Sequence, residues 1–197
     1  MDTASPNEKN YIGAAAILEK KKKYIMPCLG HFYNEPRQIV RGEMQYLYDS
    51  EGRQYLDCFA GVSVINCGHC NPEINAAVTE QLNTLQHVCN IYLTENFVNL
   101  AEQLAHVTPG NLQKSFFCST GTEANEGAAL LAQVATGSSE FIALRGGLHG
   151  RTKLTMSLTG ISMWRTDPNP VGGIHFVKNP YCYRCPHKHS PEECGID

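Results

Sequence analysis

The sequence predicts an α/β protein with a mostly parallel sheet flanked by helices, preceded by a small N-terminal helix and an antiparallel meander. Three observations carry that prediction. Short apolar runs at 115–118, 141–144 and 174–177 alternate with segments whose apolar residues recur at helical spacing. A different stretch, 38–58, is rich in β-formers and broken by turn residues. The 197 residues are 42% hydrophobic and 18% charged, enough to build a core and too apolar for wholesale disorder.

Each element follows from local pattern. Residues 1–10 form a polar lead. Residues 11–24 carry Ala14-Ala15-Ala16-Ile17-Leu18 and then Lys20 to Lys23, a helix whose basic end suits the macrodipole. In the meander, Ile39, Val40, Tyr46, Leu47, Tyr48, Tyr55 and Leu56 lie in short runs. Arg41-Gly42-Glu43 and Asp49-Ser50-Glu51-Gly52 read as the turns between them. Val62-Ser63-Val64-Ile65 is a short, strand-like apolar run. Residues 72–85 and 96–107 are helical by spacing, and Pro109-Gly110 ends the second. Residues 115–118 read as a buried strand. The Ala- and Leu-rich segment 122–135 is a helix stopped by Gly137. The runs 141–144 and 174–177 complete the strands.

Composition excludes several classes. A formal net charge of −3 argues against a dedicated nucleic-acid binder. No run of 18 apolar residues predicts a membrane span. The N-terminus is polar and lacks an apolar signal stretch, and its first arginine is Arg37, so neither a secretory signal nor an Arg-rich transit peptide is expected. Nine cysteines without an export signal fit free thiols in a reducing cytoplasm.

The most informative stretch is Phe116-Phe117-Cys118-Ser119-Thr120-Gly121-Thr122-Glu123-Ala124-Asn125-Glu126. An apolar run enters a small hydroxyl-rich loop and a helix opens at once. Helix N-termini offer orphan N–H groups and partial positive charge. Gly121 admits close approach of a ligand, and Thr120 and Thr122 add hydroxyls, so the loop can cradle an anion. Thr120-x-x-Glu123 also fits a capping box, which needs no ligand. Spacing alone leaves both readings open. The phosphate-loop and dinucleotide glycine fingerprints are absent.

Residues 119–126 closely resemble the phosphate loop of class III aminotransferases, pyridoxal-phosphate enzymes of fold type I. Further stretches match that family in order: Tyr48-Asp49 through Gly52, then Tyr55-Leu56-Asp57 and Ala60-Gly61; Gly68-His69-Cys70-Asn71-Pro72, with Asn71 where His is common; and Gly147-Leu148-His149-Gly150-Arg151-Thr152. Asn179-Pro180-Tyr181-Cys182-Tyr183-Arg184-Cys185-Pro186 resembles the branch of alanine–glyoxylate and ω-amino-acid aminotransferases. The resemblance runs from about residue 30 to the end of the chain.

The resemblance implies a pyridoxal-phosphate-dependent aminotransferase moving an amino group from an amino acid or ω-amine to a 2-oxo acid, homodimeric in its full-length form. Thr120, Gly121 and Thr122 hold the cofactor phosphate, Leu148 lies on its ring, His149 packs beside it, and Gly61, Val62 and Ser63 border the substrate. Leu148 stands where the family usually has Tyr or Phe, which removes the π-face from the ring contact. Residues 1–60 correspond to the N-terminal part of a small domain, and 61–197 to the first part of a large cofactor-binding domain, truncated on its C-terminal side. The family's Schiff-base lysine and its pyridine-nitrogen aspartate lie in the half this chain lacks. Lys153, Lys178 and Lys188 match no such motif, so no catalytic residue is assigned. The chain is accordingly expected to be a fragment, inactive and poorly soluble alone. Its non-enzyme counterpart is a catalytically dead truncated polypeptide.

Two thiol patterns raise a third reading, a zinc- or thiol-binding module. Cys67-Gly68-His69-Cys70 has redox-motif spacing, but Pro72 follows at once and no Trp precedes it. Cys182, Cys185, His187, His189 and Cys194 could supply a zinc site; similar cysteines in the related aminotransferase branch favour a structural loop. His31, His87, His106 and His175 carry no partner motif, and Trp164 with Arg165 reads as loop packing.

Overall fold

The computed structural model describes residues 10–188, 190, 192 and 194. They divide into two compact units, Met1–Leu93 and Thr94–Asp197.

In the first unit, helix α1 (Ala14–Tyr24) ends on Lys21, Lys22 and Lys23. Its start is tied to the meander, because the Gly13 N–H donates to Gln38 Oε1 over 2.9 Å. Strands β1 (Ile39–Glu43), β2 (Tyr46–Asp49) and β3 (Gln54–Leu56) form the expected antiparallel sheet in the order β1-β2-β3. One turn differs from expectation. Arg41-Gly42-Glu43 lies inside β1, and the reversal falls at Met44-Gln45, with Glu43 opposite Tyr46. Gly42 marks a close approach instead of a turn: a Cβ there would lie 2.8 Å from the Cβ of His69. The second turn is as expected. Asp49 is 3% exposed. Its Oδ1 accepts the N–H groups of Glu51 and Arg53, each over 2.9 Å, and its Oδ2 accepts the Tyr55 hydroxyl over 2.7 Å.

The run 62–65 forms no strand. Ala60–Ser63 (α2) is instead one left-handed helical turn. Helix α3 (Pro72–Thr84) follows, with Pro72 at its first turn and Asn71 as N-cap, accepting from the Glu73 N–H over 3.0 Å.

In the second unit, helix α4 (Glu95–Val107) sets Phe97 edge-on to Phe117, with ring centroids 5.0 Å apart. The expected buried strand at 115–118 is not one. No described strand pairs with it, and Phe116 is exposed, because extended backbone becomes a strand only where a neighbour completes the ladder. Helix α5 (Gly121–Thr136) ends at Gly137 with φ 69°, the left-handed C-terminal stop that its glycine predicts. Strands β4 (Phe141–Leu144) and β5 (Ile174–Val177) pair in parallel, in register Phe141↔Ile174 to Leu144↔Val177. A short helix, α6 (Lys153–Leu158), was not legible in the sequence.

Among the described residues, Ala129 and Ala143 are the buried apolar side chains. Thr155, Ser157 and Thr159 are the largest fully enclosed ones. Ile142 on β4 is 77% exposed and Val134 on α5 is 75% exposed. No described helix is long and apolar enough to cross a membrane.

Two outcomes follow. Exposed apolar side chains on α5 and β4 should make the 197-residue chain bind anilinonaphthalene sulfonate strongly; unchanged dye fluorescence would show these faces covered in solution. The Tyr55 hydroxyl and the two backbone N–H groups hold the Asp49 carboxyl below its ordinary value. A carboxyl lowered on folding stabilises above its unfolded value, near 3.9, and that contribution is lost as pH falls through the folded value. Asp49→Asn should therefore show a shallower loss of stability on acidification below about pH 4, measured by denaturant unfolding across pH.

Candidate functional site

The head of α5 is capped and still open. Thr120 is extended, with φ −139°, and its Oγ1 accepts the Glu123 N–H over 3.1 Å. Glu123 Oε2 accepts the Ser119 N–H over 3.0 Å. This capping arrangement consumes the donors of Ser119 and Glu123. Gly121 and Thr122 occupy the first two helical positions, whose N–H groups have no carbonyl behind them in the helix. The Thr120 hydroxyl, used as an acceptor, keeps its own proton to donate. A Cβ on Gly121 would meet nothing within 4 Å, so the space beside that backbone is open. Two amides without a helical partner, a hydroxyl and the positive end of the dipole thus lie at one helix head, the combination that suits an anion.

Segment 147–152 forms the adjacent wall. Asn125 Nδ2 donates to the His149 carbonyl over 2.7 Å, and the Thr152 hydroxyl donates to Glu126 Oε2 over 2.5 Å. Gly150, at φ 143°, presses on α5: a Cβ there would lie 2.6 Å from Thr122 Oγ1 and 2.7 Å from Thr155 Oγ1. The His149 N–H donates to Thr159 Oγ1 over 3.1 Å, and the Thr159 hydroxyl passes on to the Thr155 carbonyl over 2.9 Å. Thr155 Oγ1 meets Thr152 Oγ1 at 2.7 Å. Gly160 is equally tight, since a Cβ would lie 2.4 Å from the Leu144 carbonyl oxygen. Leu148 stays 53% exposed and presents its side chain outward.

Thr120, Gly121, Thr122, Leu148 and His149 therefore belong to one neighbourhood, joined through Gly150 and Asn125. Sequence reasoning missed Asn125, Glu126, Gly150, Thr152, Thr155 and Thr159, which build it. A signal existed: Thr122, Asn125 and Glu126 are spaced i, i+3, i+4 and share one helix face.

Gly61, Val62 and Ser63 lie in the other unit, on the left-handed turn. Ala60, Gly61, Val62 and Ser63 have φ of 47°, 61°, 66° and 61°. For residues other than glycine this conformation costs roughly 1–2 kcal/mol each. Val62 is nonetheless 65% exposed, so burial of its side chain does not offset that strain. Strain held without a packing reward marks a site candidate.

The remaining candidates assemble nothing further. Among the described residues, no group of three or more His, Cys, Asp or Glu side chains is placed to hold a metal. That search covers Cys182, Cys185, His187 and Cys194; His189 lies outside the described residues. None of the nine cysteines, all described, forms a disulfide, so Cys67 and Cys70 are thiols. Lys153 Nζ sits 2.7 Å from Asp167 Oδ2, and that ammonium holds the Asp167 carboxyl below its ordinary value. Arg151 lies over the Trp164 ring at 5.3 Å.

A family profile described as "Aminotransferase class-III" matches residues 31–197. The alanine–glyoxylate aminotransferase 2 homolog 2, mitochondrial, of Arabidopsis thaliana is 44% identical over 177 residues, covering 88% of this chain and 37% of that protein. The acetylornithine aminotransferase of Methanosarcina acetivorans is 40% identical over 153 residues, covering 78% of this chain and 37% of that protein. Among solved structures, the ω-transaminase of Pseudomonas jessenii in complex with PMP matches with a TM-score of 0.72 and 30% identity, over 85% of this chain and 40% of that one. The chain thus spans well under half the length of each of these three proteins.

Gly150→Ala must displace either Thr122 or the 147–152 segment. It should cost about 1–3 kcal/mol in urea unfolding, as an overpacked contact does. Thr159→Val keeps the shape and strands the His149 N–H, and should cost a similar 1–3 kcal/mol or so. Wild-type stability in either variant would contradict this packing.

Proposed function

The chain belongs to the class III aminotransferase family, and from that premise we propose that it carries the phosphate-gripping part of a pyridoxal-phosphate-dependent aminotransferase. The reaction is transfer of an amino group from an amino acid or ω-amine to a 2-oxo acid. One observation carries the reading: the N–H groups of Gly121 and Thr122, without carbonyl partners in the helix, on a capped helix head with open space beside Gly121. Every helix head leaves such amides, so the family match is what favours a phosphate over a plain helix start here.

The residues present fit the cofactor's phosphate. The Gly121 and Thr122 amides and the Thr120 hydroxyl would hold its oxygens, and the helix dipole would add favourable field. Leu148 offers an apolar cover for the ring, and His149 borders it, anchored by Asn125 and Thr159 through its own backbone. When bound, pyridoxal phosphate supplies the electron sink that makes amino transfer feasible. This chain's residues bind, orient and cover. Gly61, Val62 and Ser63 border the substrate on the same reading. The same proposal makes the whole enzyme a homodimer and places it in the cytosol, where nine thiols stay reduced.

Gly121→Ala separates the two readings of the loop. The added methyl meets no protein atom, so stability should hold or rise slightly. Pyridoxal phosphate should bind about tenfold or more weakly, equivalent to roughly 1.4 kcal/mol, in equilibrium dialysis. Unchanged binding would leave Gly121 as a helix start alone. Amino transfer from an amino-acid donor to a 2-oxo acid, assayed with the cofactor on a protein that continues these 197 residues to the length of the matched relatives, tests the reaction itself.

A further inference from the structure

A cavity of about 400 Å³ in the first unit is lined by Met44, Asp57, Ala60, Cys67 and His69, among others. It lies beside the strained turn. Within it, the His69 ring nitrogen Nε2 meets Asp57 Oδ2 at 2.7 Å. The other carboxylate oxygen, Oδ1, accepts the N–H groups of Phe59 over 3.0 Å and Ala60 over 2.9 Å, which open the left-handed turn. His69 is itself locked to the meander. Its N–H donates to the Met44 carbonyl, and its carbonyl accepts the Met44 N–H, both over 2.7 Å. Its side chain rests on Gly42, where a Cβ would come within 2.8 Å of both its Cβ and its Cγ.

These contacts form one continuous path from β1 through His69 and Asp57 to Ala60. We propose that His69 and Asp57 are positioning residues that hold Ala60–Ser63 left-handed, with Gly42 kept side-chain-free so that the His69 ring can reach Asp57. Asp57 caps the turn and His69 aims the cap. The pair thereby sets how Val62 and Ser63 are presented. The functional half of this inference rests on the reading of Gly61–Ser63 as the substrate border. The clamp itself does not.

The turn has its own reporters. The N–H of Ser63 bonds the Phe59 carbonyl over 3.0 Å, and those of Val64 and Ile65 bond the Ala60 carbonyl over 2.9 and 3.0 Å. Hydrogen–deuterium exchange on the full 197-residue chain reads these amides without turnover, so the clamp is judged apart from the aminotransferase proposal. His69→Ala leaves the Asp57 caps in place and should speed exchange at 63–65 about tenfold, with exchange in β2 unchanged. Gly42→Ala, which touches neither Asp57 nor the turn, should reproduce that pattern. Asp57→Ala should exceed it, and Asp57→Asn should largely restore protection, because the amide oxygen still accepts from Phe59 and Ala60. Unchanged protection at 63–65 in both His69→Ala and Gly42→Ala overturns the proposal. So does equal acceleration in β2, which would show general loosening of the sheet.

Discussion

The second unit depends on how closely the backbone at Gly150 approaches α5. Where hydrocarbon usually fills such a junction, hydroxyls do it. Thr155, Ser157 and Thr159 are the enclosed side chains; Ser157 and Thr159 each donate to the carbonyl four residues back and accept an N–H from another segment, and Thr155 accepts the Thr152 N–H. Ser157 ties Lys153 to Val171, and Thr159 ties His149 to Thr155. A buried hydroxyl is tolerable only when bonded, and no described buried side-chain polar atom lacks a partner. Hydrogen bonds are directional where dispersion is not. A hydroxyl-built junction therefore fixes where His149 and Leu148 sit more narrowly than an aliphatic one would.

The same economy resolves the two readings of the Thr120–Glu123 pattern. A capping box and an anion cradle look like competitors in the sequence. In the structure they are complementary. The cap takes the Glu123 and Ser119 donors and fixes the extended geometry of Thr120. Those two donors are then withdrawn, the amides of Gly121 and Thr122 keep no carbonyl partner within the helix, and the space a Gly121 side chain would fill is open. The Glu123 carboxylate keeps its negative charge, and the Ser119 N–H fixes where one of its oxygens lies. On the proposed reading, capping shapes the cradle.

Legibility followed the range of the forces involved. Helix α5 was readable because its stop at Gly137, its alanine-rich body and its Thr120 cap are all local signals. The meander was readable because β-formers and the Asp49–Gly52 turn are local too, although Gly42 misled. A glycine in a strand can signal a turn or a close neighbour, and the neighbour here, His69, is 27 residues on. Residues 115–118 carry strand propensity but no described ladder partner. The run 62–65 carries the same propensity and is overridden by the Asp57 bonds to Phe59 and Ala60 and by the bonds of Ser63, Val64 and Ile65 back to the Phe59 and Ala60 carbonyls. Helix α6 escaped notice because its six residues are too few to show a helical repeat, although Lys153, Leu154, Met156 and Leu158 are good helix formers. At the candidate site, Thr120 to Thr122 and Leu148-His149 stood out by motif. The residues that place them, Asn125, Gly150 and Thr159, did not, since their roles exist only once the segments meet.

Leucine at 148 shifts the balance within the proposed site. An aromatic side chain there would add roughly 0.5–1.5 kcal/mol of ring–ring attraction beyond burial. Leucine covers a ring by dispersion and exclusion of water alone, and the backbone of its neighbour His149 is fixed by Asn125 and Thr159. The grip on a bound cofactor must then fall more heavily on the phosphate end, where charge-assisted donors act. That end is also the more rigid one, because α5 carries the amides, the cap fixes Thr120, and Gly150 braces Thr122. A site so divided tolerates change at the ring cover and little change at the helix head.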